Sequence, residues 1–107
     1  MRNSKIIEMV ELVKLVSKLR NKNRKVVLCH GVFDLLHIGH IRYLTTSKEM
    51  GDVLITTVTS DEYVLKGPDR PVFPEDLRTE AVAALDCVDY VTINKCPTSI
   101  EVIKSLK

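Results

Sequence analysis

The sequence is short of the residues that mark several classes of protein. It has 107 residues and no Trp, and aromatic residues make up only 5% of it. With so few aromatic side chains to stack on bases, a platform for single-stranded nucleic acid is not expected. The net charge of +2 is too small to indicate nucleic acid or a membrane surface as a partner.

Cysteine is also scarce, and its placement excludes two further kinds of structure. The three cysteines, Cys29, Cys87 and Cys96, form no CxxC pair, so neither a disulfide framework nor a zinc site is predicted. The sequence shows no signal peptide and no run of ~20 apolar residues of the kind that spans a membrane. We therefore expect a cytoplasmic protein with reduced thiols and no membrane partner.

Hydrophobic periodicity predicts an alternation of helices and strands. Residues 4–20 repeat apolar side chains at three- and four-residue spacing, which predicts an amphipathic helix with Ser4 as its cap. Three strand–helix pairs follow, with strands at 26–29, 52–61 and 88–94 and helices ending at Gly51 and spanning 74–86 and 97–107. This order predicts one α/β domain over 1–107, a Rossmann-like parallel sheet with helices on both faces, preceded by an amphipathic N-terminal helix.

All three histidines of the chain lie in one short stretch, LCHGVFDLLHIGHIRYL, at residues 28–44. The stretch follows the first predicted strand, where an open α/β sheet usually binds its ligand. His37 and His40 are three residues apart at the start of the next helix, so their side chains project to the same side. Because a helix N-terminus attracts anions, the pair predicts a phosphate site.

Two glycines and the third histidine belong to the same stretch. Gly31 and Gly39 lack side chains, which would let a ligand approach the backbone closely. His30 suits a structural role as well as it suits a ligand. An isolated histidine at a helix start is usually a solvated polar residue, but a pair between a strand and a helix favours a binding site.

The stretch GVFDLLHIGHIRYL resembles the signature of the cytidylyltransferase-like nucleotidyltransferases, which share an HxGH motif. The resemblance continues through residues 51–93 and is strongest to the sugar-phosphate adenylyltransferases of the heptose 1-phosphate type. Glycerol-3-phosphate cytidylyltransferases are similar over the same region. The resemblance implies transfer of AMP from ATP, or alternatively of CMP from CTP, to a sugar or polyol phosphate with release of pyrophosphate, and of the two donors it favours ATP. Such reactions activate sugars for the lipopolysaccharide core or cell envelope.

The resemblance also implies roles for individual residues. Catalysis would fall to His37, His40 and Lys66, the last brought to the phosphates by a mobile loop. Arg78 would bind the acceptor phosphate. The residues implied to bind the nucleotide are Gly31, Val32, Phe33, Asp34, His37, Gly39 and His40. Mg²⁺ would accompany the triphosphate as a counter-ion, with no metal site in the protein and with Asp34 orienting its turn instead.

Three of the polar residues have simpler interpretations. Lys66 is otherwise an exposed surface lysine, and Arg78 a solvent-facing charge on a helix. Asp61 follows the second predicted strand at the edge where ligands bind, but the sequence TSDE also suits a helix cap. Arg70, in the same loop as Lys66, is a weaker candidate for the site than Lys66 or Arg78.

The sequence departs from the family pattern at its end. Members of the family continue for ~30–40 residues with a fourth strand and a Ser/Thr-rich segment that contacts the triphosphate, whereas this sequence stops at Lys107. It is then a fragment, a domain completed by a partner in a homodimer, or a nucleotide-binding or oligomerisation module without catalysis. A piece of an aminoacyl-tRNA synthetase is disfavoured, because the chain lacks a basic surface for tRNA.

Overall fold

A computed structural model describes the placement of residues 4–63 and 73–95. The helices are α1 (Met9–Asn21), α2 (Ile38–Lys48) and α3 (Glu75–Ala83), and the strands are β1 (Val26–Gly31), β2 (Val53–Thr59) and β3 (Tyr90–Asn94). A short 3-10 helix spans Asp61–Tyr63. The predicted alternation of helix and strand is confirmed, while the helix predicted at 97–107 lies outside the described residues. None of the helices described is long and apolar enough to cross a membrane.

The three strands form one parallel sheet in the order β1-β2-β3. Every residue of the central strand, VLITTVT, is buried, as expected for a continuous run of mostly β-branched residues covered on both faces. β1 pairs with β2 from Val26–Val53 through Gly31–Val58. Within residues 4–63 and 73–95, no strand pairs with the other edge of β1.

Helices cover both faces of the sheet, as predicted. On one face Leu44 of α2 and Val82 of α3 pack with Leu54 and Val58 of β2. On the opposite face Leu12 and Val16 of α1 pack with Val53 and Ile55 of the same strand. Successive residues of a strand point to opposite faces, so the alternation along β2 supplies both cores.

The N-terminal helix begins later than its periodicity predicts. α1 starts at Met9, with Glu8 at the N-cap and without a side-chain capping bond. The prediction of Ser4 as the cap is therefore wrong, and so is the prediction that the helix starts there. The apolar spacing of residues 4–8 fits a helix, but part of this segment pairs with a strand instead.

Residues 5–7 pair with the outer edge of β3. Ile6 forms a bridge to Val91. The Ile7 N–H donates to the Val91 carbonyl at 3.0 Å, and the Val91 N–H donates to the Lys5 carbonyl at 2.9 Å. The first N–H groups of a helix have no intrahelical acceptor, whereas this pairing gives acceptors to the segment and to an open strand edge. Pairing with β3 is therefore favoured over an additional turn at the start of α1.

Gly51 is not the C′ residue that the sequence predicts for the second helix. α2 ends at Lys48, and the C-cap residue is Glu49. A Cβ at Gly51 would lie 2.7 Å from Val27 Cγ2 and 2.9 Å from the Lys25 carbonyl oxygen. The glycine is therefore required by close packing against the start of β1, not by a left-handed helix terminus.

Truncating a side chain should change the free energy of unfolding differently on the two faces of α1. Leu12 is fully buried, whereas Val10 is 68% exposed. We expect Leu12→Ala to lower the free energy of unfolding by about 3 kcal/mol, because it leaves a cavity between α1 and the sheet. Val10→Ala is the matched control and should change it by less than about 0.5 kcal/mol. Urea denaturation followed by circular dichroism checks both, and equal losses would contradict this placement of α1.

Candidate active site

The carboxyl end of β1 and the start of α2 surround a pocket of about 460 Å³. It lies where a parallel sheet typically binds ligands. The pocket is lined by His30, Gly31, Val32, Phe33, Asp34, Leu35, His37, His40 and Tyr43. The structure therefore brings together the residues predicted to bind the nucleotide, and Gly39 lies between the two lining histidines of α2.

His37 and His40 cap the N-terminus of α2. The Gly39 N–H donates to His37 Nδ1 at 3.0 Å, and the His37 N–H donates to His40 Nδ1 at 3.3 Å. The two rings lie with centroids 4.0 Å apart and planes tilted by 32°. Imidazole nitrogens thus accept the capping hydrogen bonds that Ser or Asp oxygens usually accept at a helix N-terminus.

These capping bonds place the protons of the two imidazoles. A nitrogen that accepts a hydrogen bond carries no proton, so each neutral ring carries its proton on Nε2. Each Nε2–H is then a donor with a fixed orientation at the positive end of a helix dipole. Such a pair suits the oxygens of a phosphate.

Both glycines of the stretch make room for rings of the protein. A Cβ at Gly39 would lie 2.7 Å from His37 Cε1, and a Cβ at Gly31 would lie 2.8 Å from Phe33 Cε2. These rings give each glycine a reason that the sequence did not show, and the predicted close approach by a ligand stays a prediction, as does contact of the glycines with a nucleotide.

Phe33 supports His40 from an unusual backbone conformation. Its φ is 51°, in the left-handed region that bulky residues rarely adopt, and its side chain is only 5% exposed. The ring lies edge-on to the His40 imidazole, with centroids 5.4 Å apart and planes at 72°. Packing against Gly31 and His40 holds this strained residue in place.

Two further polar side chains line the pocket and stay uncharged at neutral pH. His30 Nδ1 lies 2.6 Å from Thr57 Oγ1, and burial lowers the pKa of His30. A hydrogen bond to the Cys29 thiol, together with burial, raises the pKa of Tyr43 to about 12. Sequence reasoning missed Tyr43, although its place three residues after His40 on one helix face was an available signal.

Arg78 lies behind the pocket, and among the residues that the structure describes it is the largest fully buried side chain, at 1% exposure. Its Nε donates to the Phe73 carbonyl at 3.0 Å. Its Nη1 donates to the carbonyls of Val32 at 2.9 Å and Thr59 at 2.7 Å. Its Nη2 pairs with Asp61 Oδ1 at 2.6 Å. One guanidinium therefore joins the loop after β1, the end of β2 and the segment before α3.

These contacts revise the interpretation of two predicted residues. Arg78 is not the solvent-facing charge of the simpler interpretation, and its binding of the acceptor phosphate stays a prediction. Asp61 is the ion-pair partner of Arg78, and its N–H donates to Glu75 Oε1 at 2.9 Å. The available signal for burial of Arg78 was its spacing of four residues from Val82, on the same face of α3.

Asp34 connects the loop after β1 to the segment before α3. The Phe73 N–H donates to Asp34 Oδ1 at 2.9 Å, which agrees with an orienting role for this carboxylate. Lys66 and Arg70 lie outside the described residues. Over 4–63 and 73–95, no group of three or more His, Cys, Asp or Glu side chains is placed to hold a metal ion.

The pocket lies in a part of the chain that a family model matches. The family model described as cytidylyltransferase-like matches residues 28–107, a range that begins in β1 and contains every lining residue of the pocket. The chain belongs to the cytidylyltransferase-like family. The resemblance seen in the HxGH stretch is therefore confirmed, and the pocket lies within the part of the chain that defines the family.

Relatives of this cytidylyltransferase-like chain include the bifunctional protein HldE of two bacteria. That of Trichlorobacter lovleyi is 45% identical over 107 residues, which cover 98% of this chain and 22% of the relative. That of a Nitratiruptor species is 46% identical over 100 residues, or 91% of this chain. The chain thus spans about a fifth of the length of these relatives, 22% in both.

A solved structure shares the fold. The crystal structure of the lipopolysaccharide core biosynthesis protein from Thermoplasma volcanium is 31% identical, with a TM-score of 0.71. The match covers 78% of this chain and 68% of that one. It confirms the Rossmann-like α/β architecture that the alternation of strands and helices predicts.

Arg78 should be needed for the stability of this cytidylyltransferase-like domain. We expect Arg78→Met to lower the free energy of unfolding by about 3 kcal/mol, because it leaves buried carbonyls and Asp61 without their donor. Arg78→Lys should restore little, since a single ammonium cannot reproduce the planar fork of donors. Arg42→Met on the exposed side of α2 is the control. Urea denaturation of the three variants is the measurement, and a loss in Arg42→Met equal to that in Arg78→Met would contradict the role.

Proposed function

We propose that this chain carries a nucleotidyl-transfer site that uses a nucleoside triphosphate as donor and a sugar or polyol phosphate as acceptor. The observation that carries the proposal is the capped histidine pair. His37 and His40 each accept a backbone N–H at Nδ1 and line one pocket at the carboxyl end of β1. Membership of the cytidylyltransferase-like family supports the same reaction.

The proposed reaction is a displacement at the α-phosphorus of the triphosphate. A phosphate oxygen of the acceptor forms a bond to that phosphorus, and the bond to the bridging oxygen of the β-phosphate breaks. Pyrophosphate leaves with the electron pair. The protein has little covalent chemistry to perform, so its contribution is positioning and stabilisation of charge. The Nε2–H groups of His37 and His40 would donate to phosphate oxygens on which negative charge builds up.

The donor and the acceptor are proposed more finely from the sequence and the relatives. The resemblance favours ATP over CTP and an acceptor of the heptose 1-phosphate type. The structural neighbour is named as a lipopolysaccharide core biosynthesis protein, which supports a sugar phosphate of the cell envelope. Lys66 and Arg78 stay proposed phosphate ligands. We keep the predictions of a cytoplasmic homodimer and of no nucleic-acid partner.

Mg²⁺ is proposed to come with the nucleotide and not to occupy a site of the protein. The part of the chain that is described holds no cluster of three metal-binding side chains, and Asp34 accepts the Phe73 N–H at 2.9 Å. Mg²⁺ commonly keeps several waters and binds substrate phosphates. Bound in that way, it would neutralise charge on the leaving pyrophosphate.

Release of pyrophosphate tests the proposal. The purified chain is mixed with ATP or CTP, Mg²⁺ and a set of sugar and polyol phosphates that includes heptose 1-phosphate. We expect turnover that falls ~10²-fold in His40→Ala, because a donor to the developing charge is lost. Thr46→Ala, an exposed change on α2 outside the pocket lining, is the matched control and should leave the rate unchanged.

Two results would contradict the proposal in different ways. Unchanged turnover in His40→Ala would remove the role given to that imidazole while leaving the reaction in place. Binding of ATP or CTP without turnover on any acceptor would favour a nucleotide-binding module. Calorimetric titration with each nucleotide, run beside the assay, separates these results.

A further inference from the structure

His30 lies in the same pocket as the HxGH histidines but on a different element. It belongs to β1, and its register partner on β2 is Thr57. Thr57 is fully buried, and its hydroxyl lies 2.6 Å from His30 Nδ1. The imidazole is thus held by a side chain of the central strand, and His30 is one of the residues that line the pocket.

The Thr57 hydroxyl decides which nitrogen of His30 carries the proton. Among the described residues, His30 Nδ1 is its one hydrogen-bond partner. If the ring donated, the buried Thr57 hydroxyl hydrogen would be left without an acceptor. An unsatisfied buried donor costs more free energy than an oxygen lone pair that accepts no hydrogen bond. The hydroxyl therefore donates to Nδ1, and the neutral ring carries its proton on Nε2.

All three histidines of the chain are then held in one way. His37 and His40 accept backbone N–H groups at Nδ1, and His30 accepts a side-chain O–H at the same atom. Burial lowers the pKa of His30, so this ring is neutral at pH 7. The three histidines that line one pocket thus share one tautomer, in which the neutral ring carries its proton on Nε2.

We infer that His30 is a third phosphate-binding residue of the pocket, which donates its Nε2–H to a phosphate oxygen. The inference rests on the proposed function and adds to the HxGH pair a residue from the strand. Thr57 is the positioning residue that orients the ring. The oxygen belongs to the triphosphate or to the acceptor phosphate, since both carry the same chemistry.

Imidazole NMR tests the inference directly. Long-range ¹H–¹⁵N correlation spectra of the ¹⁵N-labelled chain distinguish the two tautomers of each of the three histidines. We expect His30 to show a protonated Nε2 and an unprotonated Nδ1 in the free protein. Addition of pyrophosphate, ATP or heptose 1-phosphate should then shift the His30 Nε2 resonance. A shift with pyrophosphate and ATP assigns the oxygen to the nucleotide, and a shift with the sugar phosphate assigns it to the acceptor.

The spectra separate failure of this inference from failure of the proposed function. A protonated Nδ1 at His30, or a silent His30 beside responsive His37 and His40, overturns the inference and leaves the nucleotidyl-transfer site standing. If no histidine responds to any of the three probes, the pocket is not a phosphate site, and both proposals are overturned.

Variants give an independent measurement by calorimetry. His30→Phe keeps a ring without a donor. It should weaken binding of pyrophosphate or of heptose 1-phosphate, whichever of the two shifts the His30 Nε2 resonance, about tenfold, which corresponds to one hydrogen bond to a charged group. His30→Gln keeps an N–H donor and should lose less. Thr57→Val should weaken binding by releasing the ring, and Thr57→Ser should recover most of that loss. Affinities unchanged in His30→Phe overturn the inference, and the spectra of the unmodified chain decide it if a variant does not fold.

Discussion

The buried guanidinium of Arg78 is the constraint on which the pocket depends. A charge removed from water costs several kcal/mol unless its donors are met, and here three carbonyls and the Asp61 carboxylate meet them. Two of the carbonyls belong to Val32, which follows β1, and to Thr59, the last residue of β2. Because the planar fork fixes the directions of its bonds, it also fixes the distance between the ends of these two strands.

A continuous series of contacts leads from Arg78 to the histidine pair. With the Val32 carbonyl held, the next residue, Phe33, turns into the left-handed region. Its ring then fills the space over Gly31 and packs against the His40 imidazole with the two planes at 72°. His40 in turn accepts the His37 N–H. The strained residue is thus positioned from one side by a buried charge and from the other by the rings it supports.

Much of the fold could be predicted from the sequence, because local pattern and burial agree there. The run VLITTVT could only be a strand covered on both faces, and the histidine pair could only lie where β1 leads into a helix. The predictions failed where contacts with residues distant in sequence determine the local structure. Residues 5–7 pair with β3 although their spacing suits a helix, and no local pattern shows that edge. Burial of Arg78 likewise depends on carbonyls 19 and 46 residues away in sequence, and Lys66 lies outside the described residues.

The placement of the protons shows what neutral histidines can contribute at such a site. A group that binds the phosphates of substrate and transition state equally well does not accelerate the chemical step. Fixed N–H groups aimed at the oxygens that gain charge act more strongly in the transition state. The backbone caps and the Thr57 hydroxyl fix the imidazoles before any ligand arrives, so little reorganisation is needed. Arg78 shapes this site from behind through its hydrogen bonds to protein acceptors, and in the proposed reaction the imidazoles meet the phosphate oxygens that gain charge.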